Sequence, residues 1–306
     1  MDKDSNVFVE GLFLLLEILL FLFVLLCLLG GYFIFVHHHI FDIELTELNL
    51  SELIIDKPIE LLLINYIPTT FAILFVLLLM HVFVFKRDES LLGFRKKGLI
   101  PEFSYGILLA SVLIFGGFFL LWASDQIDIF AYNWNGQLIA GFLLLFTVQS
   151  FQEEVLFRSY LIPTIENRLG TWTALILSSL GFMSIHFLNA GISIMGCINL
   201  AIGGFVMGLL FIIYRNVWAP SGFHMAWNYL QSTILGFEVS GNKTYSWLLL
   251  NDKGSDFFTG GEFGYEGSIF SILFLLLSIM YLWKRHPNLT DDFIPLRKKA
   301  PEIEIP

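Results

Sequence analysis

Two carboxylates stand side by side at Glu153 and Glu154, in the run FTVQSFQEEVLFRSYL, with Arg158 one helical turn beyond the second. On a helix Glu154 and Arg158 share a face, acid first, and can form an ion pair. Glu153 points about a quarter turn away, with Gln149 stacked one turn before it, so it needs a partner from another element. The run LGFMSIHFLN sets His186 one turn after Phe182, and SGFHMAWNYL sets His224 and Asn228 four apart on one face. If the three faces converge, they assemble a carboxylate, two imidazoles and an amide. Peptide hydrolysis needs an activated water, a proton shuttle and donors for a tetrahedral oxyanion. Glu153 with His186 can bind and deprotonate water, and His224 with Asn228 can donate to the oxyanion. Glu154 and Arg158 then support them, and no serine, cysteine or threonine nucleophile is required. The zinc signature H-E-x-x-H is absent, but two histidines and a carboxylate are also a catalytic zinc set. A third reading is non-enzymatic: a transporter or scaffold that uses the same buried charges for ion binding or assembly.

The elements that must position these residues are membrane helices. Of 306 residues 56% are hydrophobic and only 14% charged, against about 25% charged in a soluble domain. Phe alone occurs 33 times, within long Leu and Ile runs. Eight candidate spans follow: Gly11–Val36, Leu61–Phe85, Ser104–Ala123, Gln137–Ile162, Trp172–Leu188, Ile192–Tyr214, Val217–Phe237 and Ser268–Trp283. The expected fold is an all-α, polytopic transmembrane bundle enclosing a polar intramembrane cavity. An ionisable group at membrane depth costs about 2.5–3.5 kcal/mol on insertion scales, which makes each one a functional candidate.

Lys and Arg alternate between the loops. Lys86, Arg87, Arg95, Lys96 and Lys97 follow the second span, Arg168 and Arg215 follow the fourth and sixth, and Lys284, Arg285, Arg297, Lys298 and Lys299 follow the last. The intervening segments 37–57, 124–136 and 238–267 are poor in basic residues or acidic. This predicts a multi-pass protein of the cell membrane with both termini cytoplasmic. The chain reads as one integral membrane domain over 1–306: a core over 104–237, an external glycine-rich loop over 238–267 and a basic cytoplasmic tail over 284–306. The first apolar run is too long for a signal-peptide core and reads as a retained helix. In the external loop, FFTGGEFGYEGS (Phe257–Ser268) reads as an ordered lid. The HHH at His37–His39 makes a poor tetrahedral site, and Cys27 and Cys197 read as packing or lipid-facing residues. The net charge of −10 and the lack of a basic stretch with interleaved aromatics exclude nucleic acid as a partner. The expected partners are the lipid bilayer and a peptide or membrane-protein substrate.

The three runs resemble, in order, the motifs of the CPBP family of intramembrane proteases, which includes CAAX and bacteriocin-processing proteases: E-E-x-x-x-R, F-x-x-x-H and H-x-x-x-[ND]. Here they stand as Glu153-Glu154-x-x-x-Arg158, Phe182-x-x-x-His186 and His224-x-x-x-Asn228. The glycine-rich TGGEFGYEGS is similar to a segment of bacterial members. The resemblance implies a glutamate-dependent protease without a cofactor, in which Glu153 and His186 activate water and His224 and Asn228 stabilise the oxyanion. It does not extend to specificity for prenylated substrates.

Overall fold

A computed structural model describes residues 3–36 and 57–287. The His37–His39 run, the acidic segment up to residue 56 and the tail residues Arg297, Lys298 and Lys299 lie outside the described residues. Eight helical segments fall in the eight expected places: α1 Lys3–Val36, α2 Pro58–Val84, α3 Leu99–Ala123, α4 Gly136–Leu169, α5 Thr171–Ser184, α6 Ile194–Tyr214, α7 Trp218–Tyr229 and α8 Ile269–Arg285. Five of them, α1 to α4 and α6, are long and apolar enough to cross a bilayer. The surfaces of α1, α2, α3 and α8 expose large apolar side chains such as Phe23, Phe71, Leu108 and Leu277, which suits contact with lipid.

Side-chain oxygens fix several helix starts by accepting from free backbone N–H groups. Asn135 caps α4 through Gln137 and Leu138 at 3.1 and 3.2 Å, Ser193 caps α6 through Gly196, and Ser268 caps α8 through Phe270. Prolines inside α2 and α4 are absorbed by widened π turns at Leu62–Tyr66 and Val155–Leu161, just before Pro68 and Pro163. Pro68 has no N–H for the carbonyl of Ile64, and the Tyr32 hydroxyl of α1 donates to that carbonyl instead at 3.0 Å.

The fourth and fifth helices differ from expectation in length. α4 runs on through its π turn to Leu169, giving 34 residues where Gln137–Ile162 was expected. α5 has 14 residues and stops at Ser184, short of the expected Leu188. At 1.5 Å per residue it is about 21 Å long, less than a bilayer core. Glu153 therefore sits near the middle of a long crossing, and the turn after a short helix carries His186 at a similar depth. This resolves the mismatch implied by the sequence, in which the two residues fell near opposite ends of their spans.

The core sits where α3, α5, α6 and α7 meet. Glycine lets α3 and α7 touch backbone to backbone. A Cβ on Gly106 would lie 2.1 Å from the carbonyl oxygen of Ala219, and one on Gly222 would lie 2.1 Å from that of Phe103. This crossing holds the helix that carries His224 and Asn228. α1 is tied on by charge: Arg87 and Arg168 both donate to buried Glu17, at 2.6 and 2.9 Å, and Arg168 also reaches Glu10. The basic residues Arg87, Arg95, Arg168 and Arg215 thus gather at one end of the bundle, where Arg215 pairs with Glu166 at 2.6 Å.

At the opposite end lies the one departure from all-α structure among the described residues. Strands β1 Ile127–Tyr132 and β2 Leu248–Asp252 pair antiparallel, with Ile127 opposite Asp252, Tyr132 opposite Leu248 and a bulge between Ile129 and Ala131. The alternation in IDIFAY buries Ile127 and leaves Phe130 and Tyr132 exposed. Beside this ribbon the glycine-rich loop folds into short turns: a helical turn at Asp256–Thr259 and 3₁₀ turns at Gly261–Phe263 and Tyr265–Gly267. Phe263 and Tyr265 are fully buried. The loop is therefore a folded cap, as its glycine spacing suggested.

Gly222→Ala is expected to lower stability by about 1–3 kcal/mol, the scale of overpacking, despite alanine's better helix propensity. Thermal unfolding of the two proteins in detergent measures this.

Candidate active site

The acidic pair of α4 divides as the helical spacing predicts. Arg158 Nη1 donates to Glu154 Oε1 at 3.0 Å, and both side chains have no exposed surface. Arg158 Nη2 donates to the carbonyl oxygen of Gly204 in α6 at 2.9 Å, and the guanidinium carbon lies 4.9 Å from the ring centre of Phe182 in α5. Glu153 lies a quarter turn round. Its Oε1 accepts from Gln149 Nε2 at 3.0 Å, while its Oε2 is buried without a hydrogen-bond partner among the described residues.

The two histidines approach from other helices. The imidazole of His224 Nδ1 lies 2.9 Å from Glu154 Oε1. A carboxylate oxygen only accepts, so Nδ1 carries the proton and Nε2 is turned outward. That Nε2 lies 3.9 Å from Glu153 Oε2. His186 Nδ1 lies 2.9 Å from the carbonyl oxygen of Phe182, which assigns the proton to Nδ1 by the same reasoning and makes Nε2 an acceptor. Phe182 separates the two rings, with its centroid 5.0 Å from His186 and 5.5 Å from His224.

Glu153, His186, His224 and Asn228 all line one cavity of about 270 Å³. Its walls also include Gln149 of α4, Tyr66 of α2, and Asn199 of α6. Glu154 and Arg158 stand behind this wall. The structure thus brings together all six residues singled out by type and spacing, four at the surface of the cavity and two beneath it. Where the sequence suggested pairing Glu153 with His186, the histidine measured against Glu153 is His224, with His186 on the same cavity. Among the described residues, no group of three His, Cys, Asp or Glu side chains has the geometry to hold a metal ion.

Several polar contacts at the site were not foreseen from the sequence. Gln152, between Gln149 and Glu153, accepts through Oε1 from Thr69 and Thr70 of α2 at 2.8 and 3.1 Å, which ties α2 to the acidic helix. Only the N-T-T cluster of polar residues after Asn65 hinted at this. Glu266 of the cap lines the cavity and is 5% exposed. It stands in the glycine-rich run, and its apolar neighbours Phe263 and Tyr265 are the signal that it turns inward. At the rim of the cap, burial pushes the carboxyls of Glu238 and Asp252 above the usual carboxylate range.

The structure is thus a helical bundle with a carboxylate, two imidazoles and an amide around an internal cavity. Residues 134–230 match the family described as Type II CAAX prenyl endopeptidase Rce1-like. The match contains all three motifs, and it supports the likeness of this part of the chain to the CPBP family of CAAX-type intramembrane proteases. The glycine-rich cap lies outside the matched residues. No curated protein matches the chain.

Arg158→Met is expected to destabilise the bundle by about 3–5 kcal/mol, because it leaves Glu154 buried without its counter-charge. The midpoint of thermal unfolding should fall sharply, whereas Glu153→Gln, which keeps a side chain of the same shape at a partly open wall, should move it little.

Proposed function

We propose that this protein is a glutamate-dependent intramembrane endopeptidase. The observation that carries the reading is the unpartnered Oε2 of Glu153 at a cavity wall shared with His186, His224 and Asn228. Glu153 and the Nε2 of His186 hold a water against the scissile carbonyl. Glu153 takes a proton as the water oxygen attacks the carbonyl carbon, and the carbonyl oxygen becomes an oxyanion. Asn228 Nδ2 and His224 Nε2 donate to that oxyanion. Donation by His224 Nε2 requires the doubly protonated ring, for which the Glu154 carboxylate on Nδ1 is the counter-charge. Glu153 then passes its proton to the leaving amide nitrogen, the C–N bond breaks, and a carboxylic acid and an amine leave.

The substrate is a peptide segment that can enter a cavity within the bilayer, in a membrane protein or a membrane-attached peptide. The basic end of the bundle reads as cytoplasmic by the excess of Lys and Arg there, with both termini on that side. The ribbon and the glycine-rich cap then lie on the outer side.

Comparing the peptides released from membranes containing wild type or Glu153→Gln tests the reading. Loss of general-base catalysis is expected to lower cleavage by at least about 10²-fold. Cleavage should survive treatment with a zinc chelator. Undiminished release by Glu153→Gln would sink the glutamate mechanism, and chelator-sensitive release restored by zinc would replace it with a metal-dependent one.

A further inference from the structure

Glu266 carries a buried carboxylate that the proposed reaction does not use. It makes no ion pair among the described residues, and three neutral donors hold it instead. Trp227 Nε1 donates to Oε1 at 3.1 Å, and the backbone N–H and hydroxyl of Ser240 both donate to Oε2 at 2.7 Å. These donors lead to the two histidine-bearing elements. Trp227 lies on α7 directly before Asn228 and three residues after His224. Ser240 accepts, through its carbonyl oxygen, from Asn189 Nδ2 at 2.8 Å, and Asn189 N–H donates to the carbonyl of His186 at 3.0 Å.

The carboxylate is itself held rigidly. Phe263 fills space beside α6, where a Cβ on Gly196 would lie 2.7 Å from its ring. Tyr265 occupies the place that a side chain at Gly117 of α3 would need. Gly264 between them has φ +81°, and a Cβ there would lie 1.9 Å from the carbonyl oxygen of Glu238, so only glycine fits this approach. The cap is anchored on both sides of Glu266, and its carboxylate is a fixed point to which α7 and the His186 turn are both tied.

We infer that Glu266 is a positioning residue that sets the spacing between His186 and the His224–Asn228 face across the cavity. The inference rests on the proposed function for its consequence in catalysis, but not for the geometry. Glu266→Gln keeps the size of the side chain and loses one acceptor, since the amide nitrogen cannot accept from the Trp227 indole or from the Ser240 N–H, whichever it faces. Trp227→Phe removes only the indole donor and keeps the stacking on Phe223.

The test is a double-mutant cycle of these two substitutions in the full chain in detergent. One readout is the kcat and KM for an internally quenched farnesylated C-a-a-X peptide. The other is the ring resonances of His186 and His224 in protein carrying ¹³C-labelled histidine. Each single variant is expected to lower kcat by about ten-fold with KM little changed, the scale of one hydrogen bond to a charged group. The double variant should lose no more than the worse single one. Both histidine resonances should move in Glu266→Gln, and that of His224 in Trp227→Phe. Additive losses, or histidine resonances that stay in place in both variants, would overturn the inference. If Glu266→Gln does not fold, Trp227→Phe decides through the His224 resonance. A wild type that leaves the peptide intact would count against cleavage of that substrate, while the resonances would still decide the positioning.

Discussion

Arg158 has five N–H donors, a permanent positive charge and no exposed surface, in a core rich in Leu, Ile and Phe. A charge in that setting persists only if acceptors and a counter-charge are brought to it. Glu154 supplies the counter-charge from one turn earlier on the same helix. Gly204 supplies a carbonyl oxygen from α6, and Phe182 supplies a ring face from α5. Glu154, once ion-paired, also accepts from His224 on α7. The three helices that carry the motifs, and α6 with them, are therefore joined through Arg158 and its partner Glu154. The absence of a side chain at Gly204 lets α5 pack closely at this point, since a Cβ there would lie 3.1 Å from Ser179 Cα and 3.4 Å from the Phe182 ring.

The neighbouring glutamates show how much a quarter turn decides. Glu154 faces the interior, pairs with Arg158 and His224, and has no exposure. Glu153 faces the cavity, with one oxygen held by Gln149 and the other buried without a hydrogen-bond partner among the described residues. Identical side chains in adjacent positions thus become a structural anchor and a group available for chemistry. Gln149 and Gln152 extend the same division along α4. Gln149 orients Glu153, and Gln152 turns to the threonines of α2.

Much of this was legible in the sequence because it depends on helical periodicity. The i,i+4 spacings of Glu154 with Arg158, and of Gln149 with Glu153, became hydrogen bonds at 3.0 Å. The face shared by His224 and Asn228 became a cavity wall. Helix ends were harder to read, because apolar residues continue past Ser184 in the run IHFL although the helix does not. Hydropathy reports what borders lipid, and the exposed Phe187 and Leu188 do that from a turn as well as from a helix. Long-range polar contacts left the faintest trace. Nothing in the spacing of Thr69, Thr70 and Gln152 marks them as partners, and the pairing of β1 with β2 joins segments more than a hundred residues apart. Glu266 was hidden for the same reason: its donors are an indole and a serine that sequence alone does not relate to it.

The early end of α5 links the cap to the site. A helix that stops inside the membrane leaves its last carbonyls and the following turn with polar backbone groups that lipid cannot satisfy. His186 takes one of those carbonyls, that of Phe182, through its ring, and so its orientation is set by the same helix end that places it at mid-depth. Asn189 continues the turn by donating to Ser240 beneath the glycine-rich cap. A close approach completes the contact, since a Cβ on Gly241 would lie 1.9 Å from the carbonyl oxygen of Ala190. The cap thus supplies, from protein, the partners and packing that a full-length helix would not have needed. A histidine held in the terminal turn of α5 and a folded loop packed over that turn both answer the backbone groups that the short helix leaves.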